Sequence, residues 1–327
     1  MTDRIRWGIL STANIGRARV IPAIQQSDNG DVVAVASRTA ERARTFADQL
    51  NIPTAYGSYE ELIADPNVDA IYIPVPNSEH AEWSIRCAEA GKPTLCEKPL
   101  ASNADEAQQI VDEFKSRSLL FAEAFMYRFH PQTQRVKQMI DDGAVGTVHI
   151  INAAFTFALR DENNIRLSKE LEGGSLMDVG CYCVNAMRHM TGEEPETGQA
   201  VAHFGEQTGV DEWLAGTLKF PSNITGHFDS GLRSQRTHMY DIRGSAGRIL
   251  VEQAFTVPDD QPSTIRYWHG DAYDEIEIPA ANHYRLMVED FADALINNRP
   301  PRFDPQDAVE NMRVIDMLLA SARSAQG

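Results

Sequence analysis

The feature that most limits what this chain can become is a series of short apolar runs separated by helix-length amphipathic segments. Val32-Val-Ala-Val-Ala-Ser37 shows no polar alternation, as a strand buried on both faces requires. Ile5–Leu10, Asp69–Val75, Thr94–Cys96 and Leu119–Phe125 read the same way. Between them, Ala43, Phe46, Ala47 and Leu50 fall at i, i+3, i+4, i+7, and Ala107, Ile110, Val111 and Phe114 form a second helical face. Ser58-x-x-Glu61 and Ser102-x-x-Asp105 are helix-start signals, and Pro22 kinks or restarts the helix after Gly16. Strand and helix alternating over residues 1–125 predict an α/β fold, a doubly wound parallel sheet of the Rossmann kind.

The pattern changes after residue 125. A helix near 132–142 ends at Gly143, and Val148–Phe157 is a long strand. A polar loop covers 158–172, and Gly173-Gly174 open a helix from about Ser175 to Met190. From 196 to 279 strands alternate with turns and no helix intervenes, which predicts an antiparallel sheet. Helices over 283–297 and 305–322 close the chain. The expected division is 1–125, then an α+β domain over 126–304, then a C-terminal helix, 305–327, packing back on the first domain. On the Trp213–Phe220 strand the face bearing Trp213, Ala215, Thr217 and Lys219 suits either association between subunits or plain solvation.

Charge removes some partners. With 47 acidic and 30 basic residues, the net charge is −17, so a nucleic acid or an anionic membrane surface is not the expected partner. A phosphate-bearing cofactor is still permitted, because a local group of arginines can hold it. The cysteines Cys87, Cys96, Cys181 and Cys183 lack C-x-x-C or zinc spacing, which predicts reduced thiols in a cytoplasmic protein. MTDRIRWGIL has too short an apolar run for a signal peptide or membrane span. No histidine shows metal-ligand spacing, so no metal site is expected.

The candidate chemistry sits at the ends of the predicted parallel strands, where open α/β sheets bind ligands. After the first strand, Ser11, Thr12, Ala13, Asn14 and Ile15 lead into Gly16. They occupy the place of a glycine-rich dinucleotide cradle of which only the third glycine remains. After the second strand comes Ser37-Arg38, with Arg42 a turn later, where an NAD site carries an acid for the ribose diol. Hydroxyl and guanidinium groups suit a 2′-phosphate, which favours NADP; a solvated helix start is the alternative. Pro74-Val-Pro-Asn77-Ser-Glu-His80 follows another strand. There Asn77 is a candidate helix cap, and His80 is either a cofactor-side residue or an ordinary helix-start residue. Cys96-Glu97-Lys98-Pro99 ends the next strand with a carboxylate and an ammonium side by side. On the helix after Gly174, Asp178 and Tyr182 stand at i and i+4, and Asn185 and His189 continue a polar stripe that is either an exposed side, with a structural Tyr-Asp bond, or the wall of a site. A tyrosine exchanging protons at neutral pH needs a nearby cation, and Lys98 is the candidate.

Four stretches together resemble the glucose–fructose oxidoreductase/inositol dehydrogenase (Gfo/Idh/MocA) family over essentially the whole chain. They are Val75-Pro-Asn-Ser-Glu-His80, Ala90-Gly-Lys-Pro-Thr-Leu-Cys-Glu-Lys-Pro99, Glu123-Ala-Phe-Met-Tyr-Arg-Phe-His-Pro131 and Gly173-Gly-Ser-Leu-Met-Asp-Val-Gly-Cys-Tyr182. The branch most similar contains NADP-dependent xylose dehydrogenases and dimeric dihydrodiol dehydrogenases. Tyr182 stands where inositol dehydrogenase-type members usually carry histidine. The resemblance implies a Rossmann domain and an α+β domain with an open, mostly antiparallel sheet that pairs subunits into a homodimer or homotetramer. It implies Lys98, Asp178 and Tyr182 as the catalytic group, Tyr284 as a cofactor-side residue, and Arg128 and Arg166 as candidate cations. Hydride transfer between a sugar-like hydroxyl or carbonyl and NADP is then the expected activity. Lys98 would hold the nicotinamide ribose and favour the ionised tyrosine, Asp178 would orient the substrate or Lys98, and Glu97 would support the loop before a Pro99 turn that suits a cis bond. The alternatives are dihydrodiol oxidation, a non-catalytic dinucleotide sensor, and glycoside cleavage with transient use of NAD.

Overall fold

The computed structural model describes residues 4–325. The chain forms two compact units, one running to Met126 and taking in Tyr284–Val309, the other made of Tyr127–His283 and the chain from Glu310 onward.

The first unit is built on six strands: β1 (Ile5–Leu10), β2 (Gly30–Ala36), β3 (Thr54–Tyr56), β4 (Ala70–Ile73), β5 (Thr94–Cys96) and β6 (Phe121–Glu123). They lie in the order β3-β2-β1-β4-β5-β6, and every pair is parallel. The order reverses between β1 and β4, so these two strands flank the crevice where such sheets take ligands. β3 is the strand the sequence does not announce, being three half-buried residues at the sheet edge with no apolar run. Ser58 accepts from the Glu61 amide as its spacing predicts. The next helix start lies one residue beyond its prediction: Asn103 Oδ1 accepts from the Glu106 amide at 2.9 Å, and Glu106 accepts from Ser102 N. Pro22 does not break the helix. The helical run from Asn14 is continuous, π-helical over Gly16–Val20 and α-helical over Ile21–Gln25, with the proline in the first two positions of the α segment.

The second unit carries β7 (Val148–Ala158), β8 (Thr197–Phe204), β9 (Asp211–Lys219), β10 (Thr225–Gly231), β11 (Arg233–Gly244), β12 (Gly247–Val251), β13 (Ser263–His269) and β14 (Ala272–Ile278). Their order is β14-β13-β12-β11-β7-β10-β9-β8. All neighbours are antiparallel except β7 and β10, which run parallel. Along β9, Leu214, Gly216 and Leu218 are buried while Trp213, Ala215, Thr217 and Lys219 face outward, the two-residue period expected of a sheet covered on one side. The helix Cys181–Thr191 packs on β7 and β10 and is buried along nearly its whole length.

The division of the chain departs from the sequence expectation. From Tyr284 the helix His283–Ile296 belongs to the first unit, where Phe291 meets the fully buried Trp7 ring at 5.2 Å and the Glu289 carbonyl accepts from Asn29. The last helix, Gln306–Ser324, is shared. Gln306 bonds Gln108 in the first unit, while in the second unit Asn311 accepts from Arg188 and Ser321 accepts from the Ala200 amide. Its first residues, through Val309, therefore belong to the first unit and the remainder to the second. Amphipathic periodicity says that a helix buries a face, not which neighbour covers it. The four cysteines are buried and form no disulfide. Among the described residues no helix is long and apolar enough to cross a membrane, and no cluster of three or more His, Cys, Asp or Glu residues could hold a metal ion.

Candidate active site

In the first unit the residues singled out by sequence follow the carboxyl ends of adjacent parallel strands, and side-chain bonds tie those turns together. Ser11, directly after β1, takes the position of the missing first glycine with φ of 150°, a backbone region that non-glycine residues enter at a cost. Its buried hydroxyl explains how the turn is held. Oγ donates to the Pro74 carbonyl after β4 at 3.0 Å and accepts from the Ala13 amide at 3.2 Å. The helix then begins at Asn14, and first-turn amides have no intrahelical partner. A Cβ at Gly16 would meet only ordinary contacts, the nearest 3.8 Å away, so close packing is not what this glycine supplies.

Beyond β2, Ser37 is buried, whereas Arg38 and Arg42 are exposed. Arg42 Nε donates to Thr12 Oγ1 at 2.8 Å, so the cradle and the second turn share one polar edge. Arg38 also acts on Glu79. Burial raises that carboxyl above its ordinary range, and the Arg38 charge works against the rise. Two arginines, hydroxyls and helix-start amides on one edge, with no acid after β2, fit a dinucleotide bearing a 2′-phosphate.

Between β4 and β5, His80 is turned inward. Its ring is fully buried, with Nδ1 2.9 Å from the Pro99 carbonyl and Nε2 3.0 Å from the Val75 carbonyl. It stands between the two turns, and as a neutral ring it donates its single N–H to one of these carbonyls. Burial pushes its pKa down to about 4, against the pull of the two carbonyls. Asn77 opens a short 3₁₀ turn whose N-cap, Pro76, offers no side-chain bond. The Lys98–Pro99 bond is cis. Glu97 is buried and accepts from the Tyr72 hydroxyl at 2.6 Å, and Lys98 beside it is half-buried. Tyr284, in the same unit, titrates above the ordinary phenol range because it is buried and because Glu97 bears a charge nearby.

In the second unit, Asp178 lies in a π turn, Leu176–Gly180, and Tyr182 in the α-helix that continues it. π turns are rare and recur at functional sites. Asp178 Oδ2 accepts from Arg166 Nε at 2.6 Å, so the loop after β7 supplies its partner. The Arg166 carbonyl in turn accepts from the Gly174 amide, and a Cβ at Gly173 would stand 2.4 Å from that same carbonyl oxygen. Arg128 is buried in the turn Met126–Phe129. The Tyr182 ring is set among aromatics, with Phe155 at 5.4 Å, Phe255 at 5.5 Å and Tyr127 at 5.8 Å. Tyr127 donates to Asn185 on the same helix at 2.6 Å.

Sequence reasoning missed Tyr72, Phe155, Phe255 and Asp211. For Tyr72 a signal exists: one phenol in the otherwise aliphatic strand Ala70-Ile-Tyr-Ile73 needs a buried partner. Phe155 and Asp211 come from distant strands and Phe255 from the segment after β12, and no local pattern marks them.

A nucleotide-binding parallel sheet joined to a second α+β unit whose buried helix presents a tyrosine is the architecture of a two-domain, dinucleotide-dependent oxidoreductase. The chain belongs to the GFO/IDH/MocA oxidoreductase family. Residues 5–125 match its NAD-binding Rossmann-fold model, and residues 133–250 match a GFO/IDH/MocA C-terminal domain. It is 39% identical over 319 residues to a D-xylose 1-dehydrogenase (NADP(+)) of Haloferax volcanii, covering 97% of each chain. To the trans-1,2-dihydrobenzene-1,2-diol dehydrogenase of Mus musculus it is 34% identical over 254 residues, 76% of this chain and 75% of that one. Its structure matches a 3-ketoreductase from Actinomadura kijaniata in complex with NADP and TDP-benzene, with a TM-score of 0.93 and 29% identity over 97% of this chain and 98% of that one. Solved structures of that reductase include a tyrosine-to-phenylalanine and a lysine-to-alanine variant. The two altered positions are as far apart in sequence as Lys98 and Tyr182.

His80 makes stability pH-dependent. In the unfolded chain it titrates near 6.5, in the folded chain near 4, so as pH falls the unfolded state binds the proton first. The stability present above pH 6.5 is lost as pH drops through 4, by on the order of 3 kcal/mol. His80→Asn is expected to be less stable than the parent at pH 7.5 and to lose stability less steeply between pH 6.5 and 4. Urea unfolding followed across that range measures it; parallel curves for the two proteins exclude the assignment.

Proposed function

We propose that this protein is an NADP-dependent oxidoreductase that interconverts a sugar-like hydroxyl and the corresponding carbonyl. The observation that carries the reading is the polar edge of the parallel sheet, where Thr12 is bonded to Arg42 and Ser37-Arg38 replace the acid that selects NAD. Ser11, Thr12, Ala13, Asn14 and Ile15 would hold the pyrophosphate. Ser37, Arg38 and Arg42 would hold the 2′-phosphate, and Pro74, Asn77, Glu97 and Tyr284 would line the rest of the cofactor's path, with His80 bracing the turns. Bound NADP supplies the hydride acceptor or donor. Tyr182 takes the hydroxyl proton in oxidation and returns it in reduction. A phenol titrates near about 10 in water, so this role needs a cation to favour the ionised form, and Lys98 is assigned it. Asp178 positions the substrate from its bond to Arg166. The variants studied in the Actinomadura reductase, a lysine and a tyrosine at this same spacing, support the pairing of roles.

A free aldose or polyol suits the second unit better than a nucleotide-linked sugar. The loop 158–172 holds three cations, Arg160, Arg166 and Lys169, against four acids, Asp161, Glu162, Glu170 and Glu172. Arg166 is already engaged by Asp178, and Glu162 by Arg233. No surplus of positive charge is left there for a diphosphate. A cytoplasmic setting agrees with the four buried thiols. The outward sheet face, with Val201 70% and Trp213 45% exposed, suits pairing of two copies.

Three measurements test these assignments. Followed at the NADPH absorbance band over a panel of aldoses, polyols and aromatic dihydrodiols, Tyr182→Phe and Lys98→Ala are expected to lose on the order of a hundredfold or more in kcat. Near-parental turnover with an intact fold removes the proton-transfer assignment. Arg38→Ala is expected to lower kcat/KM for NADP by about tenfold or more while sparing NAD; an unchanged cofactor preference refutes the 2′-phosphate site. Trp213→Glu is expected to shift a multimeric species to a smaller one in sedimentation velocity, and an unaltered sedimentation coefficient argues against pairing through this face.

A further inference from the structure

Asp211 opens β9 and is 3% exposed. Its Oδ2 accepts from the Ser175 hydroxyl at 2.8 Å and from the Leu176 amide at 2.7 Å. Ser175 Oγ also lies 2.9 Å from Ser230 Oγ on β10, and both serines are buried. The carboxylate therefore gathers the first turn of the helix that carries Asp178 and Tyr182, at the point where a helix has donors and no acceptors. The surrounding backbone is shaped around this contact. Gly174 has φ of +115°, and a Cβ there would stand 2.2 Å from Asp211 Oδ1. Its carbonyl accepts from the Asp178 amide. One turn on, a Cβ at Gly180 would meet Ser230 Oγ at 3.0 Å, so the helix is seated directly on β10. Ser230 pairs across the sheet with Phe155, whose ring packs on Tyr182.

We propose that Asp211 is a positioning residue: it fixes the start of the π turn and, through it, the direction in which Asp178 and Tyr182 are presented. The proposal rests on the proton-transfer role given to Tyr182 above. No local sequence signal marks this aspartate, which lies 35 and 36 residues after the Leu176 amide and the Ser175 hydroxyl it accepts from. An asparagine amide oxygen in the Oδ2 place accepts both bonds, whereas alanine leaves two buried donors without an acceptor.

The test uses the full-length chain with D-xylose and NADP as probes, alongside amide hydrogen exchange of residues 176–191. Asp211→Ala is expected to lower kcat by about tenfold to a hundredfold, with NADP affinity within about twofold of the parent. Helix amides should exchange about tenfold faster or more, and Asp211→Asn should restore both readouts. In a Tyr182→Phe background, Asp211→Ala should add little, because the two act through one hydroxyl. Unchanged kcat and unchanged exchange in Asp211→Ala overturn the proposal, as does a loss of stability with parental kcat per folded molecule. If Tyr182→Phe itself keeps full turnover, the reading of Tyr182 fails. The exchange data then still decide whether Asp211 holds the helix. If D-xylose is not turned over by the parent, exchange alone decides it, with unaltered protection in Asp211→Ala as the refuting result.

Discussion

The parallel pairing of β1 with β2 on one side and β4 on the other is the constraint from which the first unit's site follows. Parallel strands in a doubly wound sheet need helical crossovers, so all their carboxyl ends emerge at one edge. The turns leaving that edge cannot be stabilised by the sheet ladder. They are held by side chains bonded to main chain or to one another. Ser11 reaches the Pro74 carbonyl, and His80 spans the carbonyls of Val75 and Pro99. Tyr72, inside β4, reaches Glu97 after β5. A buried polar group left unmade costs more than a made one returns, so these bonds keep loops in place that would otherwise move.

The second unit solves a different problem with different means. Its helix must present polar groups from a nearly fully buried position. The π turn, Gly174 and Gly180 let the backbone approach β9 and β10 closely, and a carboxylate and two serines meet the donors that this approach buries. Around Tyr182 the neighbours are rings, which exclude water without competing for the phenol's hydrogen bond. Asp211 shows the cost of such burial. Loss of solvent pushes its carboxyl up to about 6, even though the Leu176 amide and Ser175 hydroxyl favour the ionised form. The protein tolerates that because the acceptor is needed where it stands.

What could be read from the sequence followed the range of each interaction. Strands buried on both faces, helices with a 3.6-residue period and caps from residues two or three positions away are local facts, and β1, β2, β4 and the Ser58 cap stand as expected. The capping signal at Ser102 misled by one residue because Asn103 is an equally good acceptor and the geometry chose it. Thr54–Tyr56 has no pattern of its own; it is a strand because β2 offers an unpaired edge. His80 reads from sequence either as a cofactor-side residue or as an ordinary helix-start residue, and only the fold shows its ring nitrogens facing the Val75 and Pro99 carbonyls.

Composition and periodicity were enough to determine the order of elements apart from β3, the parallel and mostly antiparallel halves apart from the β7–β10 pair, and the residue types at each strand end, because those depend on which side chains lie near one another along the chain. The tertiary structure alone decided who meets whom across distance. It placed Tyr284–Val309 with the first unit through Trp7 and Phe291, gave Asp178 to Arg166, and brought Asp211 beneath the helix of Tyr182. The physical reason is that hydrophobic burial and hydrogen bonding fix how much a residue must be covered or paired, and only the packing of whole elements selects the partner.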